Sequence, residues 1–193
     1  MNNEQLNALK ERAYKTAVAH GFHEEVRPDA YYLGLVMSEM GEAINADRRG
    51  WHADTKGFEE KVAAEKDFLF DENFVRYIKD TVEDEIADIV IRLLDFAGLR
   101  KYRLSIIGSS FIASISIVSM FAKKGLPGTL FTLCGALSDA LDENHAAPAA
   151  CVIINIINDY FETMTGSDKD LWWFVEKKMA YNELRPKLNG KKY

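Results

Sequence analysis

Between Asn73 and Leu99 the chain carries an apolar residue every three or four positions, and this spacing is the strongest constraint on its fold. A spacing of three to four residues places side chains on one face of an α-helix. The pattern therefore predicts a long helix over residues 73–99 with one face in a hydrophobic core. The apolar residues are Phe74, Val75, Ile78, Val82, Ile86, Ile89, Val90, Leu93 and Leu94.

Similar patterns predict helices along most of the remaining chain. Gly21 and Gly50 suit helix ends, because glycine adopts the left-handed backbone that many helix C-termini need. The polar stretch 51–73 is expected to be a long connection with room for a short helix, and VIINII at 152–157 suits either a helix or a strand. The predicted helices cover residues 4–20, 28–50, 103–124, 128–141, 148–164 and 167–184.

The composition indicates one domain. The 193 residues are 48% hydrophobic, include four prolines and show no internal repeat or flexible linker. This is enough apolar material for one packed core, and the length does not require two. We therefore expect a single all-α domain over residues 1–193.

Charge and cysteine content favour an acidic cytoplasmic protein. A net charge of −6 argues against a protein that coats nucleic acid, which would need a cationic surface. Cys134 and Cys151 lack CxxC spacing, which favours a reducing compartment. The N-terminal MNNEQLNALKER has no apolar core of the kind found in signal peptides.

One uncharged segment, Leu104–Ala122, is long enough to cross a membrane. Six serines interrupt it, and Ser105, Ser109, Ser116 and Ser119 fall within one narrow arc of a helix. Such a stripe favours a helix buried in a bundle or at a subunit interface. We therefore expect no membrane partner.

Two pairs of carboxylates carry the functional prediction. Glu39 and Glu42 lie one helical turn apart among apolar and small residues, and Glu85 and Asp88 repeat this arrangement. Burying carboxylates without partners costs several kcal/mol each, so they need protons, cations or metal. If the two helices pack antiparallel, four carboxylates converge. That donor set suits Mg²⁺, with Mn²⁺ as the alternative.

A non-catalytic interpretation remains open at this point. A single ExxE on a helix is usually a solvated face, and Arg92 follows Asp88 by four residues and precedes Asp95 by three. A structural ion-pair network in a helical interaction or scaffold protein would therefore also account for the acids. A carboxylate-bridged di-iron bundle is disfavoured, because such sites usually add histidine at ExxH spacing and this chain has no such pair.

The motifs SEMGEA and EDEIADIVIRLLDFAG resemble the ExxE and ExxD signature of the MazG-like nucleotide pyrophosphohydrolases, in the all-α NTP pyrophosphatase superfamily. The resemblance extends to AHGFHEEVRPDAYYLGLVMSEMGEA and to EKKMAYNELRP, roughly half of the chain. It implies a four-helix bundle core with additional helices, completed by dimerisation to a homodimer or a dimer of dimers. The motifs would hold Mg²⁺ against a nucleoside triphosphate, and the implied metal ligands are Glu39, Glu42, Glu85 and Asp88.

The resemblance also implies a reaction, the hydrolysis of an NTP or dNTP to NMP and pyrophosphate in nucleotide-pool housekeeping. We expect Glu39 or Glu42 to accept the proton of the attacking water. Phe22 and Trp51 are candidates to stack on the base, although both residue types more often serve packing. The preferred base and sugar, and the choice between dimer and tetramer, stay open.

The segment KMAYNELR resembles the KxxxNxxR segment that reaches substrate in several MazG-like enzymes. Lys178, Asn182 and Arg185 share one face of a helix, and the resemblance implies that they bind phosphate or ribose. The alternative is a terminal amphipathic helix whose charges face water.

The chain departs from the family pattern in three places. The spacer between Glu42 and Glu85 is long, and residues 103–166 add hydrophobic helices without an assigned motif. Asn189 replaces the histidine of an HGKKY-like ending, so we assign it no role.

Overall fold

The computed structural model describes residues 1–64, 69–108, 117–142 and 145–187, which form α-helices and contain no strand. The all-α prediction is confirmed, while the specific MazG-like bundle stays a prediction. The helices are α1 (Asn3–Ala19), α2 (Asp29–Arg49), α3 (Thr55–Ala64), α4 (Phe70–Tyr77), α5 (Val82–Leu99), α6 (Ile117–Asp142), α7 (Ala146–Thr165) and α8 (Leu171–Leu184).

Helix α5 is the centre of the fold. It packs against α1, α2, α7 and α8, and its apolar side chains, such as Ile86 and Leu93, are fully buried. A helix that is apolar on most sides has to be enclosed by other elements. These four helices therefore enclose α5, and a polar group on the enclosed part of α5 reaches solvent through a gap between them.

Helices α2 and α5 pack antiparallel, as the contacts at their two ends show. At one end, Arg100 just after α5 forms an ion pair with Asp29, the first residue of α2. At the other, the backbone N–H of Val82, the first residue of α5, donates to the carbonyl of Trp51 just after α2. The antiparallel arrangement on which the metal-site prediction depends is therefore present.

The predicted helix over 73–99 is wrong at one point, because the structure breaks it into α4 and α5. Asp80 lies between the two helices with φ of 63°, which a continuous right-handed helix cannot contain. The side chain of Thr81 then accepts a hydrogen bond from the backbone N–H of Asp84 and begins α5. The apolar spacing continues across the break and hides it in the sequence.

The predicted helix over 103–124 is also wrong at its start, since residues 103–108 are not helical. Residues 109–116 of that prediction lie outside the described residues, and α6 begins at Ile117. Gly125, with φ of 61°, kinks α6 where the sequence suggested a break. Within the described part of the chain, no helix has the length and apolar character needed to cross a membrane.

Two helical glycines give opposite predictions for stability. A Cβ added at Gly98 of α5 would lie 2.6 Å from the Tyr14 Cβ of α1, whereas one added at Gly41 of α2 would meet nothing within 4 Å. Gly98→Ala is expected to destabilise the protein by about 1–3 kcal/mol because the helices must separate. Gly41→Ala is expected to stabilise it by about 0.5–1 kcal/mol.

Urea unfolding of both variants beside wild type measures these changes. Equal effects of the two substitutions would contradict the close approach of α1 and α5 at Gly98.

Candidate functional site

A cavity of about 250 Å³ is lined by α1, α2, α5 and α8, together with residues just beyond their ends. It brings together the four predicted metal ligands and the three residues predicted to bind phosphate or ribose. Residues from three separated segments of the chain therefore share one space. The predicted residues that line the cavity are Glu39, Glu42, Glu85, Asp88, Lys178, Asn182 and Arg185.

Three of the four predicted metal ligands form a tight cluster. Glu39, Glu85 and Asp88 each place a carboxylate oxygen within 4.8 Å of the others. Glu39 and Glu85 are almost completely buried, while Asp88 is partly exposed. Glu42 is exposed and lines the same cavity, but it is not a member of this cluster.

The cluster has a donor set that fits a hard divalent cation. Its ligand atoms are all carboxylate oxygens, which Mg²⁺ and Mn²⁺ prefer to nitrogen or sulfur. Three oxygens within 4.8 Å of one another are close enough to share one ion. Glu39, Glu85 and Asp88 are therefore the residues that could hold such an ion, with Glu42 as a further ligand from the cavity wall.

Arg92 contacts one member of the cluster directly. Its Nε and Nη2 atoms donate to the same oxygen, Oε1 of Glu39, at 2.9 and 2.7 Å. Burial and the charge of Asp88 raise the pKa of Glu39, and Arg92 opposes this shift. Although burial by itself lowers the pKa of Arg92, Glu39 and Asp88 outweigh it and raise the value. Sequence reasoning considered Arg92 only as part of an alternative network, and the structure places it in the cavity.

Lys178 is a buried counter-ion for two aspartates of α5. Its Nζ lies 2.6 Å from Oδ2 of Asp84 and 2.8 Å from Oδ2 of Asp88, and its side chain is 4% exposed. Burial lowers the pKa of Lys178, but the charges of Asp84, Asp88 and Glu85 outweigh burial and raise it. The lysine therefore carries its charge within the protein and joins α8 to α5.

Glu85 is the cluster member with the largest resolved pKa shift. Burial raises its pKa to about 8, against the attraction of Lys178, and the charges of Asp84 and Asp88 raise it further. Glu85 thus holds a proton at neutral pH when no metal is bound. A cation bound to the cluster would displace that proton.

The C-terminal end of α8 is attached to α1 by His20. The ring nitrogens of His20 lie 2.8 Å from the backbone oxygens of Thr16 and Arg185. Asn182 also lines the cavity, and its buried Oδ1 has no hydrogen-bond partner among the described residues. The amide oxygen and the Arg185 segment are thus placed beside the acidic cluster.

A contact between a histidine and a carboxylate near the cavity was missed by sequence reasoning. His23 Nε2 lies 2.7 Å from Oδ1 of Asp95, and the two residues are 72 positions apart. No local spacing could have indicated this contact. Burial raises the pKa of Asp95, while His23 and Arg92 oppose the shift.

The two aromatic candidates for base stacking have different positions. Phe22 lines the cavity, and the guanidinium of Arg92 lies 5.9 Å from its ring centroid. Trp51 does not line the cavity; it is 47% exposed and packs against Arg49. Of the two, the structure therefore leaves Phe22 as the candidate near the acidic cluster.

Comparisons of the chain with protein-family models, with curated proteins and with solved structures find no match. The functional interpretation consequently depends on the residues of the cavity themselves.

The shifted pKa of Glu85 predicts a pH-dependent stability in metal-free protein. Glu85 binds its proton up to about pH 8 when folded but only to about pH 4.5 when unfolded. The folded state therefore binds more protons between these values, and the free energy of unfolding falls as pH rises through this window. Glu85→Gln stays neutral and is expected to raise the free energy of unfolding at pH 8 by about 1–3 kcal/mol.

Urea unfolding in EDTA at pH 5 and pH 8 measures this effect. Glu176→Gln is the matched control, because Glu176 is exposed and pairs with Arg12. The control should lose the same stability as wild type between the two pH values. If Glu85→Gln also loses that amount, Glu85 does not carry a raised pKa.

Proposed function

We propose that this protein is a Mg²⁺-dependent nucleotide pyrophosphohydrolase of the MazG-like type. It would convert an NTP or dNTP and water to the corresponding NMP and pyrophosphate. The observation that carries the proposal is the shared cavity, in which carboxylates from α2 and α5 meet cationic and amide groups from α8. This combination suits a polyphosphate together with a divalent cation.

The carboxylate cluster is the proposed cation site. Glu39, Glu85 and Asp88 hold Mg²⁺ or Mn²⁺, and Glu42 contributes from the cavity wall. When bound, such an ion neutralises phosphate charge and lowers the pKa of a coordinated water. Because the protein is acidic overall, this local neutralisation is what allows it to accept a triphosphate.

Polar groups at the C-terminal end of α8 are the proposed substrate contacts. Arg185 suits a phosphate because a guanidinium binds two oxygens at once, and Asn182 has a buried amide oxygen available for a donor on the ligand. For Lys178, the two ion pairs favour a different contribution from the one that its motif implied. It forms ion pairs with Asp84 and with the cluster member Asp88, and so orients both side chains.

Glu42 is the better candidate for the general base. Glu39 is engaged by Arg92, whereas Glu42 is exposed within the cavity wall, where water has access. A base has to reach the proton of the attacking water directly or through one further water. The homodimer and the cytoplasmic location that accompany this function stay predictions.

The second candidate function is a non-catalytic helical interaction protein. The ion pairs Arg92–Glu39 and Lys178–Asp88 favour it, because each neutralises a predicted metal ligand without metal. In that case the acids would only join α2, α5 and α8. Catalysis separates the two functions, since a structural network has no reason to accelerate hydrolysis.

Turnover of nucleotides tests the first function. A panel of NTPs and dNTPs with Mg²⁺ is expected to release pyrophosphate from at least one member. Glu42→Gln should lower kcat for that member by about 100-fold or more, because the amide cannot accept a proton. The measurement is pyrophosphate release, with NMP identified as the second product.

Glu176→Gln again serves as the control and should keep wild-type turnover, since Glu176 lies outside the cavity. Absence of turnover on every nucleotide, or equal turnover by Glu42→Gln, would favour the structural network.

A further inference from the structure

A divalent cation bound to the carboxylate cluster would compete with Arg92 for Glu39. Its two nitrogens contact Oε1 of Glu39, and Glu39 belongs to the carboxylate cluster with Glu85 and Asp88. A divalent ion on this cluster would share Glu39 with a guanidinium at close range. Two cations on one carboxylate repel each other, so bound metal weakens the ion pair between Glu39 and Arg92.

Arg92 is better placed than Lys178 to move. The Lys178 side chain is 4% exposed and pairs with two carboxylates, whereas that of Arg92 is 23% exposed and pairs with Glu39. The Arg92 guanidinium also lies over the ring of Phe22, which lines the same cavity. This ring provides an apolar and weakly attractive surface for a guanidinium that has left its carboxylate.

A guanidinium released from Glu39 would lose its hydrogen-bonded anion, with only the charges of Asp88 and Asp95 still acting on it. Arg92 is largely buried, and a buried charge without a partner is strongly unfavourable. The phosphate groups of a nucleotide in the cavity supply that partner, and guanidinium binds phosphate oxygens in bidentate geometry.

We propose that Arg92 is a resident counter-ion that transfers from Glu39 to a phosphate oxygen of the substrate when the divalent cation binds. This inference rests on the proposed function and deepens it. In the free protein Arg92 neutralises Glu39 and weakens the binding of metal when no phosphate is present. With phosphate present it vacates Glu39 and admits the metal, so cation and phosphate bind cooperatively.

The cooperativity is reciprocal by thermodynamic linkage. A phosphate ligand should tighten Mn²⁺ binding by the same factor by which Mn²⁺ tightens binding of the phosphate ligand. Residues that only hold Glu39 in place would not produce this behaviour, because their removal would weaken metal binding in every condition.

The wild-type arm of the test uses Mn²⁺ and imidodiphosphate, a pyrophosphate analogue that resists hydrolysis. Electron paramagnetic resonance measures protein-bound Mn²⁺ with and without the analogue, corrected for the Mn²⁺ that the analogue binds in solution. Imidodiphosphate is expected to tighten Mn²⁺ binding by at least about fivefold. An unchanged affinity overturns the proposal without any variant.

Arg92→Gln supplies the second arm of the test. The direction in which this substitution changes Mn²⁺ affinity distinguishes a transferring counter-ion from a residue that only positions Glu39. The variant is expected to bind Mn²⁺ alone about tenfold more tightly than wild type and to lose most of the coupling to imidodiphosphate. Weaker Mn²⁺ binding by Arg92→Gln would mean that Arg92 only positions Glu39, and would overturn the proposal. Arg12→Gln is the control, since Arg12 pairs with Glu176 and Glu183 outside the cavity and should bind Mn²⁺ as wild type does.

Failure of this inference differs from failure of the proposed function. If wild type binds Mn²⁺ and hydrolyses a nucleotide but shows no coupling, only the transfer of Arg92 is wrong. If wild type binds no Mn²⁺ with or without imidodiphosphate and hydrolyses nothing, both are wrong.

Discussion

The neutralisation of buried acids at the start of α5 is the constraint on which the rest of the structure depends. Glu83, Asp84 and Glu85 are each at most 3% exposed, and the amino end of a helix favours negative charge there only modestly. Each acid therefore requires its own compensation. Glu83 accepts a hydrogen bond from the Ala53 N–H and pairs with His52. Asp84 pairs with Lys178. Glu85 has a raised pKa and is neutralised by a bound proton.

These compensating contacts also hold the surrounding elements in place. The Glu83 contacts attach the segment after α2, and Lys178 attaches α8. One set of charges thus stabilises the bundle and shapes the cavity. Without metal, Glu39 pairs with Arg92 and Glu85 holds a proton, while Lys178 faces both Asp84 and Asp88. Such a site binds a further cation by displacing a proton or a resident cation, and it suits chemistry in which metal and a polyanion arrive together.

Much of this arrangement was predictable from local patterns. The apolar spacing identified the helices, and acids at i and i+3 identified Glu39, Glu42, Glu85 and Asp88, which line one cavity. The pattern failed where a local backbone change left the spacing intact. Asp80 adopts a positive φ and ends one helix before the next begins, although the apolar residues continue in step on both sides. The spacing of apolar residues indicates which face of a helix is buried. It does not indicate a break in the helix when the apolar residues on both sides of the break stay on the same face.

The sequence by itself determined an all-α chain with acidic pairs on apolar helix faces, because both depend on spacings of three or four residues. Only the tertiary structure decided which cation meets which acid. Arg92 and Glu39 are 53 residues apart, and Lys178 and Asp84 are 94 apart. Such pairs form because burial removes water, so each charge must take the nearest opposite charge that packing supplies. Helix packing therefore made Lys178 a buried counter-ion and placed Arg92 on a predicted metal ligand.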